Sequence, residues 1–314
     1  MPVTGALKAH FWGRPALWGA LALLAAAGAS APLYFVYISQ RWWLWDLLGR
    51  PRRELAFLVR YDWDETARFA GFVVLLFALY ALACWGSRLR GPRWLDGLSL
   101  LLAALLGVAL LPAYPLTSND IFHYIMEGRI FWLHGGNPLV DTPIQYSWDP
   151  YLLYSDWLAS PAPYGPAWIL SLWLPQQFPQ AHPALTVLSY KALALAFHLL
   201  TAAAVWLLAG QVAPERRRLA LTIYAWNPLL LFTTAVDGHN DVVMMFFAVL
   251  AVYFAVRERW HLAFPALALS VMSKYVTFIL LPLLVYYGWQ RTRQGGRAGL
   301  ALGCLLYTSD AADE

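Results

Sequence analysis

Long apolar blocks, separated by short segments rich in arginine, are the feature of this sequence that most restricts its fold. Several blocks are long enough to cross, as helices, a hydrocarbon layer roughly 30 Å thick. Only 13% of the 314 residues are charged, against roughly 25% in soluble domains. The 17 Trp and 17 Tyr suit the two interfaces of a bilayer, where amphipathic rings accumulate. The sequence therefore predicts an all-α integral membrane protein, folded as a multi-pass helical bundle.

The positions of the apolar blocks and of the basic segments between them predict a topology. The predicted blocks are 17–38, 69–86, 95–114, 184–209, 219–235, 240–256 and 262–289. Short basic loops, such as 88–93 and 215–218, belong on the cytoplasmic side. This orientation places the long loop 115–165, with short amphipathic helices, on the outer face of the plasma membrane. Block 262–289 is too long for one crossing, so it is predicted to be a broken hairpin with Lys274 near its outer tip.

Charge, cysteine content and the C-terminal tail limit the remaining possibilities. The net charge of +4 is small and reports topology, so no nucleic-acid partner is predicted. Two cysteines provide neither a disulfide framework nor metal-ligand spacing. Residues 304–314 (CLLYTSDAADE) read as one translation frame of a common transposase-based sequencing adapter. They are predicted to be a non-native tail on a membrane domain, 1–303, that lacks its C-terminal helices.

The strongest group of polar residues follows the third apolar block. Ser118 and Asn119 are good N-caps for a short helix that ends near Gly128. One face of this helix carries its polar residues at helical spacing: Asp120, His123, Tyr124 and Glu127. The helix N-terminus favours an ionised Asp120, which can accept a proton as a general base. The alternative is that Asp120 only caps the helix and that the polar face is merely solvated.

A second group lies on the turn between two apolar blocks, where Asp237, His239 and Asp241 occur within five residues. Ionisable groups at a membrane boundary indicate a functional site, and these three suit Mg²⁺ or Mn²⁺. A divalent cation is therefore the one cofactor that the residues suggest. The alternative is that the two aspartates cap the turn and the helix after it.

Lys274 interrupts the last apolar block. A lysine at this depth either extends its amine to the interface or binds an anion, and the anion available to a lipid-facing enzyme is a lipid phosphate. Both interpretations remain open from the residues alone.

The motifs in their order resemble the GT-C superfamily of integral-membrane glycosyltransferases, closest to the polyprenol-phosphomannose-dependent mannosyltransferase-like proteins. The motifs are Ser118-x-Asp120-x-x-x-Tyr124-x-x-x-Gly128-Arg129, Gly136-Asn137-Pro138, Pro163-Tyr164-Gly165-Pro166, Trp226-Asn227-Pro228, Asp237-Gly238-His239-Asn240-Asp241 and Lys274-Tyr275. The resemblance implies a GT-C type fold, a lipid-phosphate-linked sugar donor and Asp120 as the catalytic base.

The predicted function is transfer of mannose or another hexose from a polyprenyl-phosphate donor to a hydroxyl of a glycan or lipid-glycan acceptor, beside membrane lipids. The predicted substrate-binding residues are Tyr124, Glu127, Arg129, Asn137, Tyr164, Asp237, His239, Asp241 and Lys274. In a transporter or flippase of lipid-linked sugars, the same residues would bind substrate without bond chemistry. The lack of detectable inverted repeats argues against that alternative. A non-catalytic membrane scaffold would leave the clustered ionisable residues unexplained.

Overall fold

The computed structural model describes residues 14–48, 62–178 and 181–293, so the predicted tail 304–314 lies outside the described residues. Within these ranges the protein is helical and has no β-strand; one isolated bridge joins Trp43 to Ala113. The predicted all-α, multi-pass fold is confirmed. Helices form here because each apolar block satisfies its own backbone hydrogen bonds, as a bilayer requires.

The helices follow the apolar blocks closely. The longer ones are α1 Arg14–Pro32, α2 Trp63–Arg88, α3 Trp94–Leu110, α4 Asp120–Gly128, α5 Pro183–Val212, α6 Arg217–Ala225, α7 Asp241–Val256, α8 Trp260–Ser273 and α9 Leu280–Arg293. Short α-helices span Leu44–Leu47, Pro166–Ser171, Trp173–Gln176 and Pro228–Leu231. π-helical turns span Leu33–Gln40, Arg129–Leu133 and Phe232–Val236. 3-10 turns span Pro143–Tyr146, Pro150–Tyr154, Pro214–Arg216 and Tyr275–Ile279.

Three helical segments in the described ranges are long and apolar enough to cross a membrane: Arg14–Gln40, α2 and α5. A fourth crossing is formed if α6 and the helix after it count as one span, which is bent by 48° at Asn227-Pro228. Proline at the first position of the second piece accounts for the break, because it supplies no backbone donor to the preceding turn. Shorter apolar helices α3, α7 and α8 complete the bundle.

The last apolar block forms the predicted broken hairpin. The rings of Trp260 and Tyr287 lie 5.9 Å apart, and Arg291 lies 3.8 Å from Glu258. The end of α9 therefore returns to the start of α8, and Lys274 lies at the turn between them.

Side-chain bonds secure both ends of α3. At its C-terminal end, the buried Lys191 of α5 donates to the carbonyls of Leu111 and Ala113, at 2.7 and 2.5 Å. These carbonyls follow the last helical turn and need partners from outside the helix. At the other end, Asp96 binds the arginines of α6. The end with Lys191 is the one from which the chain continues to α4.

Helix α4 lies inside the protein, which argues against the alternative of a merely solvated polar face. Every residue from 121 to 128 is buried. The outer loop covers the helix, for example through stacking of Tyr154 on Phe122 at 5.6 Å. Of the two predicted caps, Ser118 accepts from the backbone of Asp120 at 3.1 Å, whereas Asn119 donates to Asp156 instead. The polar face of α4 therefore borders an internal cavity.

Candidate active site

A cavity of about 300 Å³ opens above the N-terminus of α4. Its lining is Asp120, His123, Tyr124, Trp157, Ser160, Pro161, Pro163 and Tyr164. This volume is at the lower end of the range for small-molecule sites, which typically combine apolar walls with a few converging polar groups. We call it the loop cavity, because residues 157–164 of the outer loop form its cover.

Asp120 is the most accessible carboxylate of α4. Its side chain is 34% exposed, and one oxygen lies 3.8 Å from Nδ1 of His239. Its position in the first turn of α4 stabilises a negative charge through the unpaired backbone amides there. The sequence-predicted pair of sites, on α4 and on the turn before α7, is thus one site in the folded chain.

A second cavity, of about 480 Å³, lies on the other side of this pair. Its lining is Tyr224, Leu230, Thr233, Thr234, His239, Asp241, Val242 and Met245. These residues come from the bent span and from α7, and most of their surface here is apolar. We call it the span cavity. Since Asp120 lines one cavity and His239 the other, the contact between them marks the boundary of the two.

Lys274 also joins the two cavities. Its amine lies 2.7 Å from Asp241, which lines the span cavity, and 5.4 Å from the ring centre of Tyr164, which lines the loop cavity. The turn that carries Tyr164 is docked on α8, where the Gly165 amide donates to the Ser273 carbonyl at 3.3 Å. A Cβ atom at position 165 would collide with the backbone of Met272, so this approach requires glycine.

Two tyrosines connect the cavity wall to the turn before α7. The hydroxyl of Tyr124 lies 3.4 Å from that of Tyr164 and donates to Asn240 at 3.4 Å. Burial raises the pKa of Tyr164 to about 12 and the pKa of Tyr124 well above its usual range. Both phenols therefore stay neutral at physiological pH and act as hydrogen-bonding groups.

The lower part of the polar face of α4 holds a buried pair. Glu127 accepts from the indole of Trp168 at 2.9 Å, and its second oxygen lies 3.3 Å from His123 Nε2. Burial raises the pKa of Glu127 to about 8 and lowers the pKa of His123 to about 4. Near neutral pH both side chains are therefore uncharged. Neither His123 nor Trp168 was assigned a role from sequence; the spacing of His123 from Asp120 was the only available signal.

Two predicted substrate-binding residues lie elsewhere in the outer loop. Arg129 is buried, pairs with Asp149 at 2.8 Å and lies over the ring of Tyr151 at 4.4 Å. Although burial opposes it, hydrogen bonds from His134, the Tyr151 amide and Arg129 hold the pKa of Asp149 below its usual range. Asn137 bonds within its own turn, to the amide of Leu139 at 3.2 Å. Neither Arg129 nor Asn137 lines the two cavities.

Asp237 holds the chain that leads into α4. Its buried carboxylate accepts from the amides of Leu116 and Thr117, at 2.8 and 3.0 Å, and from the Thr117 hydroxyl. In the described part of the chain no group of three or more His, Cys, Asp or Glu side chains is arranged to hold a metal ion, and Asp237, His239 and Asp241 are included in that finding. The Asp237 carboxylate is occupied by these three donors instead.

The fold is that of an all-α, multi-pass membrane protein, and two cavities meet at its candidate site. The particular family is shown by comparison of the whole chain with family models. The chain belongs to the MptA_B family, whose model, described as "Alpha-(1->6)-mannopyranosyltransferase, N-terminal domain", matches residues 51–290. No curated protein and no solved structure matches the chain. The predicted mannosyltransferase-like family is therefore confirmed.

Proposed function

We propose that the protein transfers a mannosyl or related hexosyl residue from a polyprenyl-phosphate donor to a hydroxyl of a glycan or lipid-glycan acceptor. The observation that carries this proposal is the contact of Asp120 with His239 at the boundary between the loop cavity and the span cavity. A transferase needs two substrates to meet at a base, and this boundary offers such a meeting point.

The span cavity suits the lipid-linked donor. Its walls come from the bent span and α7, which contribute apolar side chains such as Leu230 and Met245. An isoprenoid chain gains free energy by leaving water for such a surface. At the polar end, Lys274 supplies positive charge for the phosphate as it leaves, and His239 offers a ring nitrogen to the same region. Lys274 is 32% exposed and can exchange Asp241 for a phosphate oxygen.

The loop cavity suits the acceptor. Trp157 and Tyr164 offer flat apolar walls, while Ser160 and Tyr124 offer hydroxyl groups. This combination of few polar groups on apolar walls orients a small polar ligand. The cavity borders Asp120, so an acceptor hydroxyl bound there lies next to the proposed base.

In the proposed reaction, Asp120 accepts the proton of the acceptor hydroxyl while that oxygen attacks the anomeric carbon of the donor sugar. The bond from the anomeric carbon to the phosphate oxygen breaks, and polyprenyl phosphate leaves with the electron pair. A single displacement of this kind inverts the anomeric configuration. His239, with Nδ1 3.8 Å from the Asp120 carboxylate, lies beside the base on the donor side of the site.

The charge distribution supports an extracytoplasmic site in the plasma membrane. Arginines cluster at the end of the bundle opposite Asp120, in the loop between α2 and α3 and at the start of α6. The positive-inside rule puts that end in the cytoplasm. Arginines on the Asp120 side are an argument against this orientation, but Arg41 and Arg68 are both paired with Glu65.

The test is Asp120→Asn in the purified full chain, assayed with labelled polyprenyl-phosphate mannose, with GDP-mannose as the alternative donor. Loss of the base should lower turnover by about 10²–10⁴-fold, with donor affinity and thermal stability close to wild type. Asp64→Asn, an exposed carboxylate at the start of α2, is the matched control and should leave turnover unchanged.

Three results would contradict the proposal. If Asp120→Asn keeps more than about a tenth of the wild-type turnover, Asp120 is not the general base. Equal turnover with GDP-mannose and with polyprenyl-phosphate mannose would contradict the proposed requirement for a lipid-linked donor. Movement of a lipid-linked sugar across the bilayer without product formation would favour a flippase.

A further inference from the structure

A third cavity, of about 410 Å³, lies at the end of the bundle opposite Asp120. Its lining is Ser87, Arg88, Leu89, Arg90, Gly91, Arg93, Asp96, Pro214, Glu215, Arg217 and Arg218. Five arginines and two carboxylates thus surround one concave surface. We call it the arginine cavity. It shares no lining residue with either cavity of the proposed active site.

Arg218 fixes the wall of this cavity. Its guanidinium donates to the carbonyls of Leu89, Gly91 and Pro92, at 3.1, 3.0 and 2.9 Å. Its Nε donates to Asp96 at 2.6 Å. A single buried side chain therefore satisfies three carbonyls of the loop between α2 and α3, which holds that loop in one conformation.

Asp96 pairs with both arginines of α6 at the base of the cavity. Besides Arg218, it accepts from Arg217 Nε at 3.0 Å and from the indole of Trp206 at 3.0 Å. Arg217 also lies over the ring of Trp206, at 4.8 Å. The guanidinium groups of Arg217 and Arg218 are engaged in these structural contacts. The capacity of the cavity to bind an anion therefore comes mainly from its other arginines.

The remaining arginines are exposed and available. In the described part of the chain, Arg88, Arg90 and Arg93 make no hydrogen bond or ion pair through their side chains. Topology alone requires positive charge in this loop, but it does not require the loop to be clamped so that three arginines border one cavity. Trp85 and Trp94, exposed by 50% and 41%, flank the loop at the level expected for lipid headgroups.

We propose that the arginine cavity binds the headgroup of an anionic phospholipid. Guanidinium groups match phosphate oxygens in pairs, and basic pockets between spans on the cytoplasmic side bind such headgroups. The cavity lies where α2 and α5 end and α3 begins. A lipid can therefore place its phosphate among the arginines and its chains against the apolar helices. A bound lipid would fasten the loop between α2 and α3 to the start of α6.

The experiment is native mass spectrometry of the full chain in mild detergent, titrated with dioleoylphosphatidylglycerol or, for comparison, dioleoylphosphatidylcholine. The test variant is Arg90→Gln/Arg93→Gln. The matched control is Arg257→Gln/Arg259→Gln, which removes the same charge from the same face but from outside the cavity lining. The wild type and the control should retain phosphatidylglycerol in preference to phosphatidylcholine. The test variant should bind phosphatidylglycerol about tenfold or more weakly.

A third variant separates geometry from charge. Arg90→Lys/Arg93→Lys keeps the positive charge but removes the planar fork, so it should lose a smaller, measurable part of the affinity. Equal losses in the Gln variant and its control would mean diffuse attraction and overturn the site. Unchanged binding in the Gln or the Lys variant would do the same. Displacement of phosphatidylglycerol by excess inorganic phosphate would assign the cavity to a free anion instead.

Discussion

The two carboxylates of α4, Asp120 and Glu127, lie about two helical turns apart and are held in different environments. Asp120 is partly exposed at the helix N-terminus, beside His239. Glu127 is fully buried between Trp168 and His123. Burial without a cationic partner favours the protonated form of Glu127, and Glu127 lines neither cavity, so Asp120 is the better placed base. Differences of this kind separate acid and base roles on one helix.

The raised pKa of Glu127 makes stability depend on pH. The unfolded chain ionises Glu127 near its usual pKa, whereas the folded chain keeps the proton up to a pKa of about 8. Folding stability therefore falls as pH rises from about 4.5 to about 8, by on the order of a few kcal/mol, and levels off above this range. Glu127→Gln lacks this titration.

The apparent Tm of Glu127→Gln relative to wild type should therefore increase between about pH 6.5 and pH 8. This window avoids His123, whose lowered pKa reduces stability only below about pH 6.5, the ordinary value for histidine. Thermal unfolding in detergent at several pH values provides the measurement. A constant Tm difference would mean that wild-type Glu127 is already ionised.

Lys274 gives a prediction about donor binding. Lys274→Met removes a charge-assisted contact to the leaving phosphate, worth on the order of 1.5–3 kcal/mol. The apparent donor affinity should fall roughly tenfold or more, as measured by initial rates against donor concentration. Asp241→Asn frees Lys274 from its ion pair and should not weaken donor binding in the same way. Unchanged kinetics of Lys274→Met would mean that Lys274 forms the ion pair with Asp241 but does not bind the donor.

At the scale of elements, α4 is positioned by the turn before α7. Asp237 accepts two backbone amides and one hydroxyl from residues 116–117, so the start of the α4 segment is tied to the end of the bent span. In this structure Asp237 caps the segment 116–117. The alternative considered from sequence also gave Asp237 a capping role, but within its own turn. Its effect on catalysis would act through the placement of Asp120.

Substitution of Asp237 should separate this role from chemistry. Asp237→Ala leaves the buried Leu116 amide without an acceptor, at a cost of about 1–3 kcal/mol, and also frees the partly buried Thr117 amide, so it should lower both the apparent Tm and turnover. Asp237→Asn keeps one acceptor oxygen for both amides and should retain most of the stability and activity. Thermal unfolding and turnover are measured together. A stable but inactive Asn variant would indicate a direct chemical role.

The hairpin of α8 and α9 predicts which positions share a side of the membrane. In a chain with Cys84 and Cys304 replaced by alanine, single cysteines at Arg259, Gln290 and Leu153 are tested with a membrane-impermeant thiol reagent. Positions 259 and 290 should react together, because Tyr287 and Arg291 lie beside Trp260 and Glu258. Position 153, in the outer loop, should react from the opposite side. Separate labelling of 259 and 290 would mean one straight crossing.

At the scale of the whole molecule, the two ends of the bundle differ in chemistry. One end carries the loop and span cavities with Asp120, His239 and Lys274. The other carries the arginine cavity, fixed by Asp96 and Arg218. Membrane insertion favours such a division, because basic loops stay on the cytoplasmic side.

The sequence by itself determined the helical segments, the break in the last apolar block and the segments that carry the site, whereas only three of the predicted spans, or four with the bent pair, are helices long enough to cross a membrane in the described ranges. Apolar block length, the placement of arginines and the break at Ser273-Lys274 are local properties, and a bilayer converts them directly into helices and crossings. The face of α4 shared by Asp120, His123 and Glu127 was also predictable, because helical spacing fixes it.

The tertiary structure alone decided which of these groups meet. Helix packing brings His239 to Asp120 and Lys274 to Asp241, turns Asp237 toward the chain before α4, and gives Arg129 a partner in Asp149. No periodicity encodes these pairs, because their members lie on separate segments whose contacts depend on how the whole bundle packs. Burial of α4 likewise depends on the loop that covers it, and only that burial makes Glu127 neutral and leaves Asp120 as the candidate base.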